Sequence, residues 1–149
     1  MPEKATLRRA QEDKREGKAP STQAGEFVKE EMDHIRQGKH GARSTKQAIA
    51  IGLSKARRAG VDLPAPKKGA ASDRTRKQAE RDRAKGRTSA KRKPSPTRSR
   101  AVKGALKREG KSAASHAALS RQAKSSARRR GASGRKTAAR KAARTRRTS

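Results

Sequence analysis

The large apolar side chains of this sequence fall mainly in one short stretch. Val28, Met32 and Ile35 recur at i, i+4 and i+7, with Phe27 beside them, which is the spacing of one helical face. Pro20 followed by Ser21 and Thr22 marks the start, with either hydroxyl residue as N-cap. Glu26, Glu30, Glu31 and Asp33 weight the early turns negatively, Arg36 falls in the last turn, and Gly38 is a stop. A second face follows at Ile49, Leu53 and Ala56, widened by Ala48, Ile51 and Gly52. Ser44-Thr45-Lys46-Gln47 matches a capping box, with Ser44 as N-cap and Gln47 at N3. Arg57 and Arg58 sit in its last turn, Gly60 suits a left-handed position beyond it, Val61 supplies the accompanying contact, and Pro64 blocks continuation. Residues 38–43 are a linker short enough to predict an antiparallel helical hairpin over 21–64.

The flanks carry no such pattern. Residues 1–20 read as a charged arm. Residues 65–100 contain Pro66, Pro94 and Pro96 and no periodic apolar face, and they read as a disordered, solvated linker. Residues 101–149 form a basic tail rich in Ala, Lys and Arg. Its composition favours helix while its like charges oppose it. Nascent helix is predicted at 99–108 and 112–130, becoming full helix when a polyanion neutralises the charge. The predicted fold class is mostly α with extensive disorder, a short hairpin followed by a long basic tail. A hairpin of about 40 residues rarely folds alone, so it is expected to form a homodimer or to order on a partner.

Composition sharpens this picture. Hydrophobic residues are 28%, charged residues 38%, and Phe27 is the one aromatic residue. The formal net charge is +31, and the stretch from residue 110 to residue 149 has thirteen Lys or Arg and no Asp or Glu. Such an imbalance opposes compaction and calls for a partner of opposite charge, of which nucleic acid is the densest. With no Tyr or Trp for base stacking, contacts to the phosphate backbone are favoured, which leans towards duplex DNA. The absence of cysteine excludes disulfides and thiolate metal sites. No apolar run is long enough for a membrane span, and the N-terminus has no apolar signal segment, so a cytoplasmic, nucleoid setting is expected.

Candidate chemistry is sparse. Gly38-Lys39 and Ser44-Thr45 resemble pieces of a phosphate-binding loop, but His40 follows the lysine and no strand precedes it. His34 and His40, near Glu30, Glu31 and Asp33, fall on different elements without a repeated motif and read as exposed residues, as does His116. No enzyme and no cofactor is indicated. The candidate nucleic-acid contacts are Lys39, Arg43, Lys46, Arg57 and Arg58 in the hairpin. In the tail they are Arg128, Arg129, Arg130, Arg135, Lys136, Arg140, Lys141, Arg144, Arg146 and Arg147.

The stretch STQAGEFV, followed by GKHGARS and QAIAIGLSKARRAG, resembles a bacterial family of small basic proteins, mostly uncharacterised, some labelled plasmid-stabilisation or DNA-binding. The tail segment SAASHAALSRQAKSSARRRG is similar to the tails of that family, and the tail's composition also resembles bacterial histone H1-like proteins. The resemblance implies DNA association and no catalytic residues. The leading expectation is a non-enzymatic, largely sequence-nonspecific DNA-binding protein of the nucleoid or a plasmid. An RNA- or ribosome-associated protein and a regulatory interaction module with an accessory tail are the alternatives.

Overall fold

The computed structural model describes residues 1–88 and 93–148 of the chain. Every regular element of any length among them is a helix. In chain order these are α1 (Lys4–Arg15), α2 (Pro20–Arg36), α3 (Thr45–Arg58), α4 (Asp73–Arg87) and α5 (Pro96–Lys107). A single 3-10 turn at Ser112–Ala114 then leads into α6 (His116–Arg147).

Local signals account for the ends of these helices. Pro20 occupies the first turn of α2, and no side chain caps it. A proline there loses no hydrogen bond and has its φ already set, so the start falls ahead of the hydroxyl residues expected to cap it. At α3 the Ser44 hydroxyl accepts the Gln47 N–H at 3.1 Å, while the Gln47 side-chain oxygen takes the N–H of Arg43 at 2.7 Å. The far end closes at Gly60, whose φ of +98° suits a residue without Cβ. The Val61 N–H there reaches the Ala56 carbonyl at 3.1 Å and the Gly60 N–H the Arg57 carbonyl at 3.1 Å.

The core is made of two small clusters. Ala10, Ala24, Phe27, Ala56 and Val61 bring together α1, α2, α3 and the segment after α3, with Leu7, Leu53 and Leu63 at the edge. Met32, Ile35, Ala42, Ala48, Ala113 and Ala114 join α2, α3 and the 3-10 turn, with Val28, Ile49 and Leu119 packed against them. Small residues let the backbones approach. A Cβ added at Gly52 would stand 2.7 Å from the Val28 Cα, and one at Gly86 would stand 1.8 Å from the Arg57 carbonyl oxygen.

Extensive disorder, expected from composition, is overturned by this helical architecture. Residues 1–20 hold α1, which buries Thr6 and Ala10. The supposed linker holds α4, capped by Ser72 and docked through Ala79, Asp82 and Gly86. Its contact face is small or polar rather than apolar, so it leaves no hydrophobic period to detect. The tail is helical without a ligand, beginning with the Ser115 hydroxyl accepting the Ala118 N–H at 3.2 Å. Its root is packed, and it contains no proline after Pro96. α6 breaks at Gly131, where φ is +67° and ψ 179°.

Two glycines test the close crossings. Gly52→Ala and Gly86→Ala are each expected to lower the unfolding free energy by about 1–3 kcal/mol through overpacking. Gly25→Ala in α2, where an added Cβ meets nothing within 4 Å, is expected to raise it by about 0.5–1 kcal/mol. Urea unfolding followed by circular dichroism measures all three, and equal effects at Gly52 and Gly25 would contradict the packing.

Candidate nucleic-acid interface

Most of the chain's carboxylates lie in the body formed by α1 to α4, and there they engage its cations. Arg9 meets Glu26 at 2.5 Å, Lys18 meets Glu16 at 2.6 Å and Asp13 at 2.8 Å, and Lys39 reaches Glu3 at 3.2 Å. Lys55 is paired with the fully buried Glu31. Asp82, 1% exposed, accepts from the Ser54 hydroxyl at 2.7 Å, Arg58 Nε at 2.8 Å and the Gln78 amide at 3.1 Å. A buried carboxylate needs this kind of satisfaction, because an unpaired one would carry a large desolvation cost. Asp62 takes Arg83 at 2.7 Å and Arg87 at 3.0 Å, and these two guanidinium groups hold its carboxyl down at about 2.

The hairpin residues expected to touch phosphate separate into three groups. Arg57 is buried: its guanidinium donates to the Leu63 carbonyl at 3.2 Å and the Pro64 carbonyl at 3.1 Å. Burial pulls it below the ordinary guanidinium range, against the attraction of Asp82. It fastens the chain after α3 and presents nothing to a ligand. Lys39 and Arg58 are engaged by Glu3 and Asp82. Arg43 and Lys46 are exposed at the start of α3.

The tail differs in kind. Residues 93–148 hold nineteen Lys or Arg and one acid, Glu109, and none of these cations forms an ion pair among the described residues. Arg128, Arg129 and Arg130 are exposed just before the Gly131 break, and Arg135, Lys136, Arg140, Lys141, Arg144, Arg146 and Arg147 are exposed after it. Lys136, Arg140, Arg144 and Arg147 follow helical spacing and share one face, a stripe about 16 Å long at 1.5 Å per residue.

Residues not singled out for this role hold the root of the tail. The Gly41 N–H donates to the Leu106 carbonyl at 2.8 Å and the Ala42 N–H to the Gly110 carbonyl at 3.1 Å. Arg36 Nε reaches the Ala114 carbonyl at 3.0 Å, and the Thr45 hydroxyl reaches that of Ala113 at 2.7 Å. The glycine at position 41 was the one visible signal, since a Cβ there would stand 2.0 Å from the Glu109 carbonyl oxygen. His34 and His40, expected to be exposed on separate elements, are partly buried with ring centroids 6.2 Å apart.

These features define a small helical body carrying a cationic helical tail. Over residues 20–68 the chain is similar to a family of unknown function, DUF6496. That match covers α2, α3 and the segment to residue 68, and the tail lies beyond it. No curated protein and no solved structure matches the chain. Among the described residues no helix is long and apolar enough to cross a membrane.

The Asp62 contacts give a pH dependence. Because its folded value lies below the ordinary carboxylate value of about 4, its contribution is present above that pH and is lost as pH falls towards about 2. The difference in urea midpoint between the wild type and Asp62→Asn is therefore expected to shrink over that window. A difference unchanged between neutral pH and pH 2 would contradict the assignment.

Proposed function

We propose that the chain binds duplex nucleic acid, DNA first, through the phosphate backbone and with little sequence preference, and that the α1–α4 body positions the tail. The observation that carries this reading is the partition of charge. Nine of the twenty-three Lys and Arg in residues 1–88 pair with acids, whereas no cation of the described tail has an ionic partner. Like charges at i, i+4 on α6 disfavour its helix by a few tenths of a kcal/mol per pair, about 0.2–0.5, and phosphates relieve that repulsion. Duplex DNA supplies about one charge per 1.7 Å of axis, dense enough to serve a helix cationic on several sides.

Phe27, the one aromatic residue, is 1% exposed, so it is not available to stack an unpaired base. This favours a duplex over a single strand. The cellular setting that goes with the reading is the nucleoid.

Replacing Lys136, Arg140, Arg144 and Arg147 together by Gln is expected to flatten the plot of log K against log salt by roughly 3–4, at about 0.9 per lost phosphate contact. Arg83→Gln, which removes a body cation already engaged by Asp62, is expected to leave the slope unchanged. Fluorescence anisotropy with a mixed-sequence duplex makes the measurement, and competition with structured RNA tests the choice of polymer. An unaltered slope in the fourfold variant would refute the proposal.

A further inference from the structure

Glu31 and His34 are three residues apart on α2 and so share a face. The turn after α2 returns the chain so that His40 joins them. One potential ligand atom from each of the three residues lies within 4.8 Å of the other two. Glu31 is wholly buried. Lys55 engages its Oε1, but its Oε2 has no hydrogen-bond partner. His40 Nε2 stands 3.1 Å from that oxygen without the alignment of a hydrogen bond. His34 Nε2 meets Glu3 Oε1 at 2.9 Å, and a second buried oxygen, the unsatisfied Glu30 Oε1, lies 3.8 Å from the same nitrogen.

The His40 ring is oriented from behind. Its Nδ1 is 2.9 Å from the Gly41 carbonyl oxygen. When Nδ1 carries the proton and donates it there, the Nε2 lone pair of the neutral ring is left towards Glu31, the outer-shell arrangement that metal-binding histidines use. A lone pair facing a buried carboxylate oxygen is repulsive unless a cation lies between them. Glu3, Glu30 and Glu31 gather around the site, with Lys39, Lys55 and Arg9 as their cationic neighbours.

We infer that Glu31, His34 and His40 form a binding site for one divalent transition-metal ion, with Zn2+ as the natural occupant. Two imidazole nitrogens and one carboxylate oxygen suit zinc, with water completing a tetrahedron. Zinc bonds are about 2.0–2.2 Å, so a modest side-chain rotation closes the set around the ion. The ion's role is structural. It clasps α2 to the loop whose Gly41 and Ala42 amides hold the root of the tail.

The test uses the untagged, nuclease-treated full chain. Calorimetric titration with Zn2+ should show saturable uptake of one ion per chain, and Zn2+ should raise the thermal unfolding midpoint. Co2+ should give the intense visible bands of tetrahedral coordination. His34→Ala and His40→Ala should each weaken Zn2+ binding at least about 10-fold, while His116→Ala should leave it unchanged. The inference is overturned by no saturable uptake at micromolar Zn2+. It is equally overturned by wild-type affinity in both ligand variants, or by loss of binding through His116→Ala. Should a ligand variant lose its helical circular dichroism, the wild-type Co2+ spectrum decides alone, and absence of tetrahedral bands refutes the site.

Discussion

Gly52 lies so close to the backbone of Val28 that no side chain fits between them. That approach of α3 to α2 sets the geometry on which the other elements build. With α2 and α3 in near contact, Phe27 and Ala56 share one cluster with α1, and Ile35 and Ala48 share another with Ala113 and Ala114. The rule repeats where α4 meets α3: Gly86 touches the Arg57 carbonyl, and Ala79, two turns earlier on α4, is buried. A chain with few large apolar residues can form a core when its backbones come close, because short side chains then fill the space between helices.

Close packing through small residues leaves polar groups inside, and these join the elements. Asp82 gathers Ser54, Gln78 and Arg58, and Arg57 closes the chain beyond α3 onto two carbonyls. Each is a satisfied buried group whose partner could not be removed without leaving a charge or dipole in a dry site. The same economy divides the protein electrostatically. The acids lie mostly in the body and are engaged there, so the tail has almost none to meet its cations. Its helix persists because its N-terminus is capped by Ser115 and its root is anchored by Arg36, Gly41, Ala42 and Thr45.

Much of α2 and α3 was legible from local chemistry. Ser44 with Gln47 and Gly60 with Val61 are short-range signals; the structure forms the Ser44–Gln47 and Val61–Ala56 bonds, while the Gln47 side chain takes the N–H of Arg43, one residue before the N-cap. The helices at 4–15 and 73–87 were not legible, because Thr6, Ala10, Ala79 and Asp82 make no apolar stripe. Their helical state depends on a surface supplied by distant residues. Arg57 misled for the same reason: a cation in the last turn of a helix looks solvent-facing until the returning chain covers it. His34 and His40 were set apart by sequence distance, and only the turn between them brings their rings together.

By itself the sequence determined the sign and placement of the charge, the helical character of its central segment, and the shortage of aromatic and sulfur chemistry. These depend on residue identity and on spacing within a few turns. The tertiary structure decided which cations remain available, which glycines are contact points, and which carboxylates are buried. Those properties arise from approaches between segments tens of residues apart, and local spacing carries no record of them.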